Sequence, residues 1–197
     1  MTAAFPDVDA MRLERDGLAL RAMAPDDAAR VADVSGDIRV AGMTAMIPSP
    51  YTHDDARTWI EGHAAARAAG EAFHFAILEA GSDGLLGSVS LDEMEDLGPS
   101  GRQYDLGYWI APDAWGRGLA TRAAVIVRDW AFEVLKAGRL TASCLAGNRA
   151  SQRVLDKAGF VYLDTQWKLR PARGVHAFCE TFRLDKPRWE SLTGARP

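Results

Sequence analysis

The stretch with the most chemistry in it is Trp115-Gly116-Arg117-Gly118-Leu119-Ala120-Thr121. It follows a strand-like run ending Tyr108-Trp109-Ile110-Ala111, and it opens directly into a long helical pattern. A strand that runs through a Gly-x-Gly turn into a helix presents several backbone N–H groups at one point. The helix dipole favours anions at that same point. Gly116 and Gly118 remove side chains that would block close approach, and Arg117 adds a cation. The chemistry indicated is binding of a phosphate or pyrophosphate. A bare Gly-x-Gly can also serve only for tight packing, and the flanking strand and helix shift the balance toward phosphate. Two nucleotide motifs do not fit. A P-loop ends Gly-Lys-Ser/Thr, whereas this turn ends Gly-Leu-Ala-Thr. A dinucleotide fingerprint needs a third glycine where Thr121 stands.

Other reactive side chains say less. His53, His63, His74 and His176 show no metal-like spacing, and no Cys-x-x-Cys is present; no metal is expected. His74 lies between Phe73 and Phe75 on a strand and so faces away from them. Cys144 and Cys179 cannot make a disulfide framework, which suits a reduced, cytoplasmic setting.

The elements that hold the loop follow from periodicity. Residues 17–23 alternate as a strand, and Pro25-Asp26-Asp27 opens a short helix through Val34. Residues 36–51 read as irregular. Thr52 with Asp55 forms a capping box for a helix that Gly70 stops. Residues 72–79 and 85–91 pair as a hairpin, 96–101 is a polar loop, and 103–111 is the next strand. The best helix spans 118–136, with Ala120, Ala123, Ala124, Val127, Trp130, Ala131 and Val134 on one face. A strand over 140–145, a helix over 149–158 stopped by Gly159, and strands over 161–170 and 175–184 follow, with a last turn at Pro187. This order predicts one α/β (α+β) domain over 1–197: a mixed, mostly antiparallel sheet of about seven strands with helices on both faces, and residues 1–16 as a loosely ordered extension.

Composition narrows the function. Apolar residues make up 48% and charged residues 25%, the mixture of a globular chain. The longest aliphatic run, Ala123–Val127, is far short of the roughly 20 residues of a bilayer span, and the N-terminus lacks the basic head and apolar core of a secretory signal. A net charge of −4 with no basic run argues against nucleic acid as the main partner. Arginine supplies 19 of the 23 basic residues, and its fork suits a local phosphate site.

With these pieces in place, the sequence resembles the GCN5-related N-acetyltransferase (GNAT) superfamily. Trp115-Gly116-Arg117-Gly118-Leu119-Ala120 is similar to that superfamily's acyl-CoA signature Q/R-x-x-G-x-G/A. The wider pattern resembles the RimJ/RimL branch, bacterial enzymes that acetylate the N-termini of ribosomal proteins. Its pieces are Leu18-Ala19-Leu20-Arg21 with Pro25-Asp26-Asp27-Ala28, then Leu106-Gly107-Tyr108-Trp109-Ile110, Asn148-Arg149-Ala150-Ser151, and Lys157-Ala158-Gly159-Phe160, in that order over about residues 17–190. Trp115 departs from the general signature, and the RimJ/RimL branch often carries an aromatic residue there.

The resemblance implies a sheet whose fourth and fifth strands, 103–111 and 140–145, splay apart around the pantetheine arm of acetyl-CoA. It implies that backbone groups of Trp109, Ile110 and Ala111 pair with the pantetheine and that Gly116–Thr121 hold the pyrophosphate, with no metal. The acceptor amine attacks the thioester directly, so the protein must remove a proton from the amine, hold the oxyanion and protonate the thiolate. Neutralising a lysine-like amine at pH 7 costs about 4–5 kcal/mol, against about 1 kcal/mol for an α-amine. Asp105 is the candidate base, at a family position that is commonly acidic, with Glu93 and Glu95 as runners-up. Ser151 matches the family's hydroxyl near the CoA sulfur, a general acid, while also fitting as a first-turn helix serine. Asn148 is both an N-cap and a match to a family residue that touches the cofactor or a bound water. Cys144, at the end of the fifth strand, reads as a buried small hydrophobe. Met43, Met46 and Tyr51 in the irregular segment are expected in one wall of the acceptor pocket. The implied function is acetyl-CoA-dependent N-acetyl transfer to a primary amine, either a protein N-terminus or a small amine, amino acid or antibiotic. A non-catalytic CoA-binding module on the same fold and a nucleotide-phosphate binder are the other readings. Monomer and homodimer both remain open.

Overall fold

The computed structural model describes Phe5, residues 12–94 and residues 101–194. One sheet of eight strands organises it: β1 (Arg12–Arg15), β2 (Leu18–Ala22), β3 (Ala72–Glu79), β4 (Gly87–Glu93), β5 (Gln103–Ile110), β6 (Arg139–Leu145), β7 (Val161–Arg170) and β8 (Val175–Asp185). Their order across the sheet is β1-β2-β3-β4-β5-β6-β8-β7. Successive strands joined by turns pair antiparallel, as short connections require. The exception is β5 and β6, which are parallel because the helix α5 (Leu119–Glu133) crosses between them.

The sequence reading holds for the mixed, mostly antiparallel sheet with helices on both faces. Four details differ. The sheet has an eighth strand, because Arg12–Arg15, inside the segment expected to be loosely ordered, pairs with Leu18–Arg21 around a left-handed turn at Asp16 and Gly17. The helix expected over 52–70 is two helices, α3 (His53–Glu61) and α4 (His63–Ala69), because the chain bends at Gly62. The irregular segment contains a single-turn helix, α2 (Ile38–Ala41), after α1 (Ala28–Gly36). The turn at Pro187 is the first turn of a helix, α7 (Lys186–Thr193), in which proline occupies the first turn at no hydrogen-bond cost. Glu95 and most of the 96–101 loop lie outside the described residues.

Two apolar layers flank the sheet. On one side Phe73, Phe75, Val89, Leu91, Tyr104 and Leu106 pack against Ala123, Val127, Trp130 and Ala131 of α5, all buried. On the other, Ala76 and Leu78 meet Val31 of α1 and Ala56 and Ile60 of α3. The period-two alternation of β3–β5 thus sends one set of side chains under α5 and the other set, His74, Ser90, Asp92, Asp105 and Trp109, toward the opposite face.

Candidate active site

The parallel β5–β6 ladder is short. It pairs Gln103 with Arg139, Tyr104 with Leu140 and Asp105 with Thr141, and goes no further. Beyond that point β5 stays on β4 as far as Ile110, while β6 stays on β8 as far as Leu145. The two central strands therefore fork at Asp105 and Thr141, leaving adjacent backbone edges on either side of a wedge. A cleft of about 1480 Å³ occupies this region and reaches both faces of the sheet.

One end of the cleft is the Gly116–Thr121 loop, all six residues of which line it. Gly116 and Gly118 both take left-handed backbone conformations, at φ 78° and 71°. A Cβ at either position would meet nothing within 4 Å. Glycine is thus required here by backbone geometry, over open space. Gly118 is the N-cap of α5 and brings no capping side chain. The first intrahelical bond runs from Arg122 N to Gly118 O at 3.1 Å, so the donors before it have no acceptor within the helix. This is an N-terminus with the geometry to hold an anion. Arg117, the expected extra cation, lines the cleft with its loop, and its guanidinium is paired with Glu79. Arg153 and Lys157 on α6 (Arg149–Lys157) add positive charge to the cleft wall, and Arg39, paired with Asp37, lines it as well. Spacing alone did not single these out, since their neighbourhood exists only once α6 packs beside the fork.

The three backbone positions expected to meet a pantetheine arm do not behave alike. Ala111 N–H donates to Leu86 O at 2.8 Å and Ala111 O accepts from Ala114 N at 2.9 Å, so both of its backbone groups already have partners within the protein. Trp109 O also faces β4: a Cβ on Gly87 would lie 2.4 Å from it. Strand alternation then turns the backbone of Ile110 toward the wedge. Its carbonyl accepts the Trp115 indole N–H at 2.7 Å. The half-exposed Trp115 thereby closes the end of β5, with the Arg39 guanidinium 5.9 Å from its ring centre.

Midway along the wedge sits a hydroxyl and thiol cluster. Asn148 Oδ1 accepts Ser151 N–H at 3.1 Å, capping α6. Ser151 Oγ lies 2.7 Å from the Tyr108 hydroxyl, and the thiol of Cys144 interacts with the same Ser151. Burial pushes the Tyr108 phenol above its ordinary range, outweighing the opposing Ser151 hydrogen bond. Burial also pushes the Cys144 thiol up to about 11, again against Ser151, so it remains a neutral thiol at pH 7. Tyr108 was quoted in the sequence only as part of a motif. Its signal was the strand alternation that groups it with Tyr104 and Leu106 on the α6 side.

At the fork, Asp105 accepts Thr141 Oγ1–H at 2.7 Å and lines the cleft. Burial is the main influence on it and raises its pKa, against the Thr141 hydrogen bond and Lys168; the neighbouring Asp92 raises it further. Asp92 stands opposite Asp105 in register. Burial raises Asp92 too, but His74 and Ser90 prevail and hold it below the ordinary carboxylate range. The contacts are His74 Nε2 at 3.4 Å and Ser90 Oγ at 2.9 Å. Behind them His63 stacks on His74 at 4.3 Å, and burial drives its pKa down to about 3. Two neighbouring carboxylates are thus pushed in opposite directions, the pattern that separates proton acceptor from fixed anion. Glu93, the runner-up base, pairs in register with Tyr104 on the other sheet face and is held by Arg102 at 2.9 Å. Glu95 is outside the described residues. Met43, Met46 and Tyr51 also line the cleft.

Comparison with known proteins places this architecture. Residues 17–161 match a family model described as an acetyltransferase (GNAT) domain. Over 90 residues the chain is 38% identical to the "Probable N-acetyltransferase YjcK" of Bacillus subtilis, covering 46% of this chain and 49% of that protein. It is 30% identical over 109 residues to the "Putative ribosomal N-acetyltransferase YdaF" of the same organism, covering 54% of this chain and 56% of the relative. The chain thus spans about half the length of the curated relatives it matches. A solved structure described as a "Probable acetyltransferase" is 26% identical, with a TM-score of 0.76 over 91% of this chain and 99% of that one. The chain belongs to the GNAT acetyltransferase family.

Proposed function

We propose that this member of the GNAT family is an acetyl-CoA-dependent N-acetyltransferase whose acceptor is a primary amine, with a protein N-terminal α-amine as the favoured acceptor. The observation that carries the reading is the fork of β5 and β6 beside the bare helix N-terminus of α5. An unpaired strand edge suits an extended amide-bearing arm, and an anion-binding helix end suits a pyrophosphate. Acetyl-CoA supplies the reactive thioester when bound.

The residues divide the remaining work. Gly116, Gly118, Leu119, Ala120 and Thr121 supply backbone donors to the pyrophosphate, with Arg153 and Lys157 as cations beside them. Ile110 presents the strand edge, Trp115 packs over its end, and Asn148 fixes the first turn of α6. Asp105, at the fork, takes the proton from the acceptor amine, and its burial-raised proton affinity improves the match to an amine. Ser151, held by Tyr108, supplies a proton or hydrogen bond to the departing thiolate. Asp105 and Thr141 are separated along their strands from Tyr108 and Cys144 by three residues each, about 10 Å, so base and acid face opposite ends of the reacting bond. One buried carboxylate is a modest base. That supports an α-amine acceptor, which needs only about 1 kcal/mol of deprotonation at pH 7. The ribosomal designation of one relative agrees with it.

The test is thiol release from acetyl-CoA with a panel of amines and N-terminal peptides, with mass spectrometry locating the added acetyl group. Turnover with peptides bearing a free α-amine, lost on blocking it, is the expected result. Tight acetyl-CoA binding with no acceptor turned over would leave a non-catalytic CoA-binding module. Stabilisation by ATP in preference to CoA would overturn the cofactor assignment.

A further inference from the structure

The two edges of the sheet are built very differently. At one end β1 is four residues long and reads Arg-Leu-Glu-Arg, a short charged strand of the kind that discourages further pairing. At the other end β7 runs for ten residues, Val161–Arg170, pairs with no strand but β8 among the described residues, and carries exposed apolar groups. Trp167 and Phe178 are each 59% exposed and contact each other at 4.6 Å between ring centres. Tyr162 and Leu169 extend the same stripe, at 55% and 51% exposure. Past the register break between Tyr162 and Asp164, residues 164–170 keep a regular register on β8, and a regular edge strand is a template for another strand.

The sequence of that edge says which strand fits. In an antiparallel pair, opposed residues share a face and their numbers have a constant sum. If a second copy of β7 lies antiparallel on the first with Gln166 opposite Gln166, then Asp164 of each copy falls opposite Lys168 of the other. Thr165 falls opposite Trp167, so the two indoles become diagonal neighbours. Asp164 already accepts from Gln166 Nε2 at 3.0 Å and from Thr181 Oγ1, yet a carboxylate has four acceptor sites and can take an ammonium as well. We propose that two copies of this chain associate through their β7 edges in this register, joining their sheets into one with two Asp164–Lys168 pairs and a Trp167 contact at the centre.

The consequence reaches the cleft. Arg170, at the end of β7, donates to the carbonyls of Gly42 and Thr44 at 2.7 and 2.6 Å. Ala172 N–H donates to Ala45 O at 3.2 Å. These contacts anchor the segment that brings Met43 and Met46 to the cleft wall. Pairing at β7 therefore braces the acceptor side of each active site.

The test uses the full chain in analytical ultracentrifugation over about 1–100 µM, with circular dichroism melts as the check of folding. The wild type should sediment as a dimer. Asp164→Lys and Lys168→Asp should each weaken self-association about tenfold, since both central pairs become like-charged. Mixing these two variants should give a heterodimer, because each supplies the charges that the other now lacks. The double variant Asp164→Lys/Lys168→Asp should dimerise again. Trp167→Ser, at a half-exposed site, should weaken the dimer while leaving the fold intact. A wild type that is monomeric throughout this range overturns the proposal. So does a dimer indifferent to the single reversals, or a failure of the two folded reversal variants to associate on mixing.

Discussion

Gly118→Asp and Gly118→Ala make a matched pair of perturbations of the α5 N-terminus. Both residues must adopt φ 71°, which an L-residue does at about 1–2 kcal/mol. Neither meets a steric obstacle, because the space around a Cβ at Gly118 is open to 4 Å. The two variants therefore share the backbone strain and differ in one charge. A carboxylate about 4–5 Å from a phosphate charge, at an effective dielectric constant near 20, is repelled by about 3–4 kcal/mol. It also competes for the donors that the phosphate needs, since Asp is itself an N-capping residue. We expect acetyl-CoA affinity, by titration calorimetry, to fall only modestly in Gly118→Ala and about 10²–10³-fold more in Gly118→Asp. Raising the ionic strength should narrow the gap, because the added repulsion is partly screened. Equal dissociation constants for the two variants would refute the placement of the pyrophosphate at this helix end, since strain is common to both.

Ser151→Ala should lower kcat about 10²-fold or more with little change in acetyl-CoA affinity if the hydroxyl serves the departing thiolate; near-normal kcat in steady-state assays would return it to a helix-capping role. Tyr108→Phe removes the 2.7 Å contact to Ser151, and should lower kcat less than Ser151→Ala while leaving the melting temperature close to normal. Asp129 is buried and accepts from Arg128 at 2.7 Å, Trp189 at 2.9 Å and Arg15 at 2.7 Å; Asp129→Ala strands the buried Arg128 and should cost about 3–5 kcal/mol in urea unfolding. Asp105→Asn should depress kcat/KM at pH 7 and recover partly toward pH 9 as free amine accumulates, with acetyl-CoA affinity unchanged; a pH–rate profile overlaying the wild type would remove Asp105 as the base.

The same Asp105 carries a stability signature. Its folded pKa is raised, chiefly by burial, so ionising it favours the unfolded chain. Stability is therefore greatest below the unfolded carboxylate pKa and declines as pH climbs toward the raised folded value, above which the loss is complete. Asp105→Asn keeps an acceptor for Thr141 and has nothing to ionise. It should melt higher than the wild type at pH 7–8, and the difference should shrink on acidification into the ordinary carboxylate range. A variant that gains stability while losing activity would mark Asp105 as a residue kept at a cost to the fold.

What the sequence disclosed and what it withheld divide along the range of the interactions. The strands, α5 and the Gly116–Thr121 loop were legible because each is fixed within a few residues, by alternation, by a 3.6-residue period, or by glycines demanded at left-handed φ. Gly62 was misread because a glycine inside an apolar helical pattern signals a bend only weakly. Arg12–Arg15 was missed because a short charged strand has no pattern of its own and exists only by pairing with Leu18–Arg21. The site is long-range throughout. That Arg117 pairs with Glu79, that Arg153 and Lys157 line the cleft, and that Ala111 is already paired to β4 all follow from packing. Above all, β5 and β6 have ordinary strand sequences, and nothing in either says that their ladder ends at Asp105 and Thr141. The fork arises because β5 continues along β4 to Ile110 while β6 continues along β8 to Leu145, and the twist of the sheet draws those two ladders apart. The residues left at the point of divergence, a buried carboxylate on one strand and its threonine donor on the other, stand at the head of the cleft only because each ladder holds its own strand. The position of Asp105 on the cleft is thus a property of pairings made elsewhere in the sheet.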